Sequence, residues 1–269
     1  MKYKPIKNKY GYYECSPKPN PEYLINFYKK IYFKKKVSQS FSNFYSKEET
    51  KNKRLKAKFD IGLIKKRVGK KKIKFLEIGS GEGFILNEAH KQKNWEVIGV
   101  DYNDFAINKF NKKAKSFFVK EDPEIFLKKA NNLKFKFDVI VLNNVLEHVI
   151  DPKKLLIKIR NLINIKSVVF ISIPNDYSIL QTLSIKSKKN YKAPWFQPPQ
   201  HISYFNTLNI ENFLKKNNFK LIDMVSNFPI EIFLFSKFSF YYNNSKKGKS
   251  VHEARLFLEN LIFSNGFEK

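Results

Sequence analysis

Short runs of apolar residues, each ending at polar or turn-forming residues, recur through the middle of the chain. Runs of this length are typical of buried strands, and they predict five strands, at residues 73–78, 95–100, 116–119, 137–142 and 167–173. Between them apolar residues recur at helical spacing, which predicts helices near residues 84–91, 104–111, 123–130 and 151–163. Because strands and helices alternate, we expect an α/β fold with a doubly wound, mostly parallel sheet and helices on both faces.

Residues 1–70 precede this core and are expected to form an N-terminal addition to it. Three prolines predict an extended, partly disordered arm over residues 1–20. Asn20 and Pro21 are typical of a helix start, and a helical pattern predicts a second helix over residues 49–68. We expect both helices to pack on the core, where they either cover a bound ligand or only add to the packing.

The main domain is expected to span residues 71–269. Residues 176–206, rich in lysine and proline, interrupt the alternation as an insertion after the fifth strand, and residues 227–269 form a C-terminal extension. The remaining expected elements are a helix carrying Ile210, Phe213 and Leu214, a sixth strand from Phe219 to Met224, an aromatic segment at 227–241 that fits helix or strand, a polar loop at 243–249 and a helix from Val251 to Phe263.

The composition is strongly basic, with a formal net charge of +28. Such a charge is compatible with binding to nucleic acid or to an anionic membrane. The basic runs are scattered, however, at residues 34–36, 65–72, 186–192 and 246–249. Because they do not share one expected face, and because Lys, Asn, Ile, Phe and Tyr are all abundant, we favour a composition bias spread over solvated surfaces.

Cysteine usage and hydropathy further narrow the class of protein to which the chain can belong. Cys15 is the single cysteine, so neither an intrachain disulfide nor a zinc–thiolate cluster can form, and we predict no metal site. The first twenty residues lack the apolar segment of a signal peptide. No stretch reaches the ~18 apolar residues that a membrane span requires. We therefore expect a soluble, cytoplasmic protein.

A glycine-rich loop follows the first core strand. Gly79, Gly81 and Gly83 come directly after the run Ile73 to Ile78 and before a helical segment. Glycines allow a tight turn and a close approach of backbone to a ligand. The next strand ends at Asp101, where a ribose-binding acid belongs in a nucleotide-binding βαβ unit. Together these features predict a site for a nucleoside-type ligand.

The spacing of the loop disfavours two common ligands. A dinucleotide fingerprint requires a small residue at the sixth position from Gly79, and Phe84 is too large for the close packing found there. A P-loop sequence does not occur in the chain.

The motifs resemble those of class I S-adenosylmethionine-dependent methyltransferases, which have a Rossmann-like fold. The segment Glu77-Ile78-Gly79-Ser80-Gly81-Glu82-Gly83 is similar to the first motif of that family. The resemblance continues over about residues 70–225, at Val97 to Asp101, at Phe137 to Val149 with its Leu146-Glu147-His148, and at Ser167 to Asn175. The cofactor implied by the resemblance is S-adenosyl-L-methionine.

The resemblance also implies roles for individual residues. Glu77, Gly79, Gly81 and Gly83 would hold the methionine part, Asp101 the ribose, Tyr102 the adenine face, Asp122 the adenine amino group and Asn143 the region near the sulfonium. A carboxylate such as Asp101 can accept hydrogen bonds from two vicinal hydroxyls. Two alternatives stay open: Glu77 as an ordinary charge at a strand end, and Asp122 as the N-cap of the helix after Pro123.

Methyl transfer to a hydroxyl or carbon acceptor requires a base. The candidate catalytic residues are His148 and His201, with Tyr177 and Tyr204 behind them. An imidazole suits proton transfer near neutral pH. The alternative for both histidines is a structural, hydrogen-bonded position in the pocket wall.

The chain layout resembles bacterial methyltransferases of cell-surface sugar and polysaccharide biosynthesis, at Tyr12 to Pro19 and at Pro199 to Phe205. The implied partner is a small-molecule acceptor, a sugar or nucleotide sugar. Some sugar C-methyltransferases carry an N-terminal zinc site of cysteines, which this chain cannot form. A nucleic-acid (RNA) methyltransferase is one alternative, although Asn143-Asn144-Val145-Leu146 stands where amino-methylating DNA enzymes carry their proline motif. A non-catalytic binding protein with the same fold is the other.

Overall fold

The computed structural model describes residues 3–31, 45–69, 72–186, 193–242 and 244–265. In chain order the strands are β1 (Lys4–Lys7), β2 (Tyr13–Ser16), β3 (Ile73–Ile78), β4 (Trp95–Asp101), β5 (Phe118–Lys120), β6 (Phe137–Asn143), β7 (Ile163–Ser172) and β8 (Ser203–Tyr204). The α-helices are α1 (Pro21–Asn26), α2 (Lys47–Val68), α3 (Phe84–His90), α4 (Phe105–Phe110), α5 (Pro123–Asn132), α6 (Pro152–Asn161), α7 (Ile179–Lys186), α8 (Ile210–Lys216) and α9 (Ser245–Asn265). A π-helical turn, Phe27–Ile31, continues α1, and 3₁₀ turns cover Lys112–Phe117 and Ile230–Phe235.

The central sheet has five parallel strands in the order β5-β4-β3-β6-β7. Ile78 at the end of β3 pairs with Val100 of β4 and with Leu142 of β6. The three strands therefore end at the same level, and the residues that follow them meet at one edge of the sheet. The predicted α/β fold with a mostly parallel sheet is confirmed.

Alternate residues of the central strands pack on opposite faces of the sheet. Leu76 and Ile78 of β3 lie in a core with α5, α6 and α8. Ile73 and Phe75 of the same strand lie in a second core with α2, α3 and α4. Because apolar side chains are buried on both faces, the strands appear in the sequence as nearly continuous apolar runs.

The third predicted strand is displaced along the chain. Residues 112–117 form a 3₁₀ turn, so β5 begins at Phe118 rather than at residue 116. The strand pairs with β4 at one edge of the sheet.

The expectation of a partly disordered N-terminal arm is wrong for residues 4–16. β1 and β2 form an antiparallel hairpin, and β2 continues the pairing with β8, where Tyr13 lies opposite Tyr204. The ring of Tyr12 lies 4.3 Å from that of Phe205 and 5.3 Å from that of Phe213. Burial of these aromatic rings anchors the segment despite its prolines.

The predicted helix at 49–68 is confirmed as α2, which begins with a capping box. The Ser46 side chain accepts from the Glu49 N–H, and the Glu49 carboxylate accepts from the Ser46 N–H. α9 packs along α2, with Asn52 Nδ2 donating to Glu259 Oε2 at 3.2 Å. Because α9 begins at Ser245, the polar loop expected at 243–249 is wrong from residue 245 onward.

The expected sixth strand at Phe219 to Met224 is also wrong, because this segment has no strand pairing in the described chain. It lies beside β7 along a groove of about 1140 Å³. Phe219 and Leu221 pack against the core, whereas Ile222 and Met224 are exposed. The undecided segment 227–241 contains the 3₁₀ turn Ile230–Phe235, with Leu234 buried. None of the helices in the described parts of the chain is long and apolar enough to span a membrane.

Candidate active site

The glycine loop lies at the carboxyl end of β3, and its three glycines have positive φ angles. Gly79 has φ +70° and Gly83 has φ +74°, and a Cβ at these positions would lie 2.6 Å from Val145 and 2.9 Å from Ile107. Gly81 has φ +51°, with no heavy atom within 4 Å of the position of a Cβ. Gly79 and Gly83 are therefore needed for the turn and for packing, whereas Gly81 borders open space.

Asp101 is tied to this loop. Its Oδ2 accepts a hydrogen bond from the Gly81 N–H at 2.9 Å, and the backbone N–H groups of Tyr102 and Asn103 donate to the same carboxylate. Burial raises the pKa of Asp101 to about 6, and these hydrogen bonds oppose the increase. The carboxylate is thus fixed in orientation and is largely ionised at neutral pH.

Glu77 lies in β3, two residues before the loop, and is 1% exposed. Its Oε2 is buried without a hydrogen-bond partner in the described chain. Burial raises the pKa of Glu77 well above its usual range, and a hydrogen bond from the Leu86 N–H opposes this. The burial argues against a solvated charge at a strand end, because a buried carboxyl oxygen without a partner is costly unless a ligand satisfies it.

Tyr102 directly follows Asp101 in the chain and lies next to Asp122. The Tyr102 ring is stacked on that of Tyr28, with 6.4 Å between centroids and 15° between planes. Tyr102 also forms a side-chain hydrogen bond with Asp122, and burial raises its pKa. Asp122 is at the same time the N-cap of α5, accepting from the Glu124 N–H at 2.9 Å. Its capping role is therefore observed, and it is compatible with a position at the site.

Asn143 is the last residue of β6 and pairs with Ser172 of β7. The next residue, Asn144, has φ +53° and donates its N–H to the Ser172 carbonyl at 2.8 Å. Asn143 thus lies at the same edge of the sheet as the glycine loop and Asp101. The structure brings the predicted cofactor-binding residues together at this edge.

A second cluster contains both candidate catalytic histidines. Glu147 and His148 follow β6, and His201 precedes β8. The Glu147 carbonyl accepts from the N–H groups of Ile202 and Ser203, at 2.8 and 3.1 Å, which joins the two segments. The two imidazole rings lie 4.8 Å apart between centroids and nearly perpendicular.

The groups of this cluster have strongly perturbed acidities. Burial lowers the pKa of His148 to about 4 and that of His201 to about 3, so both imidazoles are neutral at pH 7. Burial also raises the pKa of Glu147 and of Asp176 to about 8. Asp176 Oδ2 lies 4.0 Å from His201 Nδ1. Perturbed groups of this kind concentrate at functional sites.

The N-terminal helical region contributes directly to the site. Tyr28, in the π-helical turn after α1, lies with its hydroxyl 3.0 Å from His148 Nδ1 and donates to the Gln200 carbonyl at 3.2 Å. Asn103 Nδ2 donates to the Tyr28 carbonyl at 2.8 Å. These contacts therefore favour participation of this region in the site over a role in packing alone.

The two candidate tyrosines have supporting positions. Tyr204 is fully buried and donates its hydroxyl to the His201 carbonyl at 2.7 Å. The ring of Tyr177 packs against those of Tyr13 and Trp195, at 4.4 and 5.8 Å. Both tyrosines therefore belong to the packed wall of the pocket behind His201 and support its position.

Asp176 and Tyr28 were not among the predicted site residues, and Glu147 was named only as part of a motif. Asp176 follows Pro174-Asn175 at the end of the fifth core strand, so its place in the sequence could have identified it as a candidate site residue. Nothing in the sequence pattern relates Tyr28 to His148, because the contact joins two segments 120 residues apart.

A family model described as a Methyltransferase domain matches residues 39–224, more than half of the chain. The protein belongs to this methyltransferase family. A comparison with curated proteins found no match.

Solved structures with a similar fold include two methyltransferases. The plantazolicin methyltransferase BpumL, in complex with a triazolic desmethylPZN analog and SAH, is 18% identical over 88% of this chain and 87% of its own, with a TM-score of 0.53. Magnesium protoporphyrin IX methyltransferase (ChlM) from Synechocystis PCC 6803, with bound SAH, is 13% identical over 76% of this chain and 91% of its own, with a TM-score of 0.50. In another BpumL structure, with SAH, the match is 24% identical and spans 55% of this chain and 56% of that chain, with a TM-score of 0.41.

Proposed function

We propose that this protein is a methyltransferase that uses S-adenosyl-L-methionine. The observation that carries the proposal is the glycine loop after β3, held by Asp101 through the Gly81 N–H, beside the buried and unpartnered Oε2 of Glu77. Membership of the methyltransferase family supports it, as does the SAH bound in the two structurally similar enzymes.

Each polar group of the site suits one part of this cofactor. Glu77 would accept from the ammonium group of the methionine part, which supplies the missing partner for its buried carboxylate. Asp101 would accept from both ribose hydroxyls, and Tyr102 with Asp122 would contact the adenine. Asn143 would lie near the sulfonium. The sulfonium is already reactive, so the main contribution of the protein is to position the acceptor in line with the methyl–sulfur bond.

The acceptor that we propose is a hydroxyl or carbon of a small molecule, a sugar or nucleotide sugar. The proposal rests on the resemblance of Tyr12 to Pro19 and of Pro199 to Phe205 to sugar-modifying enzymes. It is supported by the pairing of these two segments as β2 and β8, next to His201. The acceptor hydroxyl would lie against His148 and His201, whose imidazoles are neutral at pH 7 and can therefore accept its hydrogen bond and, in the transition state, its proton.

Calorimetry with S-adenosylmethionine and S-adenosylhomocysteine tests the cofactor. We expect binding to the wild type and a loss of at least about tenfold, or ~1.4 kcal/mol, in Asp101→Ala. Asp223→Ala is the matched control, because Asp223 is exposed and pairs with Arg67 away from the loop. Unchanged affinity in Asp101→Ala, or no binding to the wild type, would contradict the proposal. The acceptor is tested by screening nucleotide sugars for conversion of the cofactor to S-adenosylhomocysteine, and inactivity with all of them would refute the sugar assignment.

A further inference from the structure

Three side chains that can ligate a metal ion converge beside the proposed methyl-transfer site. Glu147, His148 and His201 each place one ligand atom within 4.8 Å of the ligand atoms of the other two. The backbone hydrogen bonds from Ile202 and Ser203 to the Glu147 carbonyl hold the two segments together. The arrangement of the three side chains therefore rests on backbone contacts as well as on packing.

The environment of Glu147 is the one expected for a metal ligand. It is 1% exposed, and both carboxylate oxygens are buried without a hydrogen-bond partner in the described chain. His201 Nδ1 is likewise buried and unpartnered, and so is Oδ2 of the neighbouring Asp176. Buried polar atoms in folded proteins are nearly always satisfied, and a bound ion is one of the recognised explanations for the exceptions. A bound cation would satisfy the Glu147 carboxylate and the unpartnered nitrogen of His201.

His148 is oriented as a metal-ligating histidine. Its Nδ1 lies 2.8 Å from the Gln200 carbonyl oxygen, which can only accept, so the proton is on Nδ1. The lone pair is then on Nε2, which lies 3.7 Å from Glu147 Oε1. A backbone carbonyl behind one ring nitrogen, with the other nitrogen directed at the ion, is the usual arrangement of a ligating histidine. Asp176 Oδ2 lies 4.0 Å from His201 Nδ1, beyond hydrogen-bond distance, so a carboxylate adjoins the second imidazole without orienting it.

The distances and donor types indicate the class of ion. Metal–ligand bonds of 2.0–2.2 Å in a tetrahedral site place neighbouring donors about 3.4 Å apart. The separation of 3.7 Å between His148 Nε2 and Glu147 Oε1 is close to this, and side-chain rotation would shorten the longer separations, which extend to 4.8 Å. Two imidazoles and one carboxylate form the donor set of catalytic zinc sites, which keep a fourth position open, whereas Mg²⁺ and Ca²⁺ prefer oxygen ligands.

We propose that Glu147, His148 and His201 bind one divalent transition-metal ion of the zinc type, whose open position takes the acceptor oxygen. This reverses our sequence-based expectation of no metal site, which considered only clusters of cysteine. The binding site stands on the observed side chains, and only the role of the ion rests on the proposed methyl transfer.

In that role the ion lowers the pKa of the bound acceptor hydroxyl, as it does for bound water. The hydroxyl loses its proton to solvent, and an oxygen lone pair forms the new bond to the methyl carbon. The electron pair of the broken carbon–sulfur bond remains on sulfur, which leaves S-adenosylhomocysteine. The imidazoles then assist deprotonation as ligands of the ion rather than as proton acceptors.

The test is a titration of the full chain after treatment with a chelator. Co²⁺ is added with visible absorption as the readout, Zn²⁺ binding is measured by calorimetry, and Mg²⁺ is titrated in parallel. We expect one Co²⁺ or Zn²⁺ per chain and weaker binding of Mg²⁺. Glu147→Gln and His201→Ala should each weaken Co²⁺ binding at least tenfold, since loss of an outer-shell partner alone typically costs 10–100-fold.

His252→Ala is the matched control. His252 lies 3.0 Å from Glu49 in an exposed histidine–glutamate pair between α9 and α2, which could bind added metal adventitiously. Metal binding that is lost in His252→Ala, unchanged in Glu147→Gln and His201→Ala, or absent from the wild type would overturn the proposal.

S-adenosylhomocysteine binding by the same samples shows whether each variant is folded and separates the two hypotheses. Cofactor binding without metal binding would refute the metal site and leave the methyltransferase proposal intact. Metal binding without cofactor binding would do the reverse.

Discussion

Gly79 and Gly81 offer a test of what the glycine loop requires, because they differ in one physical respect. Both have positive φ, +70° and +51°. A Cβ on Gly79 would lie 2.6 Å from Val145 Cγ2, whereas a Cβ on Gly81 would meet no heavy atom within 4 Å. An alanine at either position therefore carries the same backbone strain, but only the alanine at 79 also collides.

The two contributions can be given magnitudes. A left-handed backbone costs a residue with a Cβ about 1–2 kcal/mol, and an added methyl group in a packed site costs about 1–3 kcal/mol more. We expect Gly81→Ala to lower the free energy of unfolding by about 1–2 kcal/mol and Gly79→Ala by about 2–5 kcal/mol. Combining Gly79→Ala with Val145→Ala removes the colliding methyl group, so the double variant should recover about 1–3 kcal/mol relative to additivity.

Urea denaturation of the four variants and the wild type, without cofactor, measures these free energies. Equal stabilities of Gly79→Ala and Gly81→Ala would refute the steric argument. Additive effects in the double variant would show that Val145 is not what restricts position 79. Cofactor affinity, measured separately by calorimetry, should fall in Gly81→Ala although its stability changes less, because the added methyl group points into open space at the site.

Two further predictions concern the buried acids of the cofactor site. Glu77→Gln should leave the cofactor-free protein at least as stable as the wild type, since it replaces a buried acid by a neutral amide and keeps an acceptor for the Leu86 N–H. It should nevertheless weaken S-adenosylmethionine binding by about 1.5–3 kcal/mol, roughly ten- to hundredfold. Calorimetry measures the affinity and thermal melts the stability, with the exposed Glu96→Gln as control, and unchanged affinity would remove Glu77 from the site. For Asp101, whose pKa burial raises to about 6, bound ribose hydroxyls favour the ionised form, so binding below that pH requires loss of a proton. S-adenosylhomocysteine affinity should be constant above pH 7 and fall by up to about tenfold per pH unit below 6; the same profile in Asp101→Asn would show that another group titrates.

The parts of the fold that the sequence predicted are those in which local pattern and tertiary position agree. Strands β3, β4 and β6 are buried on both faces, so each forms a clear apolar run with a definite end. The helix starts at Pro123 and Pro152 carry aspartate caps that are visible in the sequence. The edge strand β5 has neither property, and its position was wrong by two residues at its start.

The parts that it missed depend on contacts between distant segments. The hairpin of β1 and β2 is held by β8 and by Phe205 and Phe213, nearly two hundred residues away in the chain. The segment 219–224 has strand-like composition, but only its Phe219 and Leu221 find a core to pack against. The sequence pattern shows the composition of such a segment, but it does not show whether another segment of the chain is in place to pair with it.

The same distinction applies to the site. Asp101 and the glycines were predictable because they are placed by the strands that precede them. The cluster of Glu147, His148 and His201 was not, because His201 reaches the others through an insertion whose path is set by the pairing of β2 with β8.

The site is rich in buried acids, although the molecule as a whole is strongly basic. The chain carries a net charge of +28, yet Glu77, Asp101, Glu147 and Asp176 are buried on or directly after its core strands, where burial raises the pKa of each. Buried acids without basic partners lower stability, and their retention is explained where positive ligands compensate them. On this argument the methyl donor compensates the first two and a metal ion the last two. Glu77→Gln should therefore weaken cofactor binding and leave metal binding unchanged, and Glu147→Gln should do the opposite. Simultaneous loss of both ligands in either variant would show that the four acids act as one site.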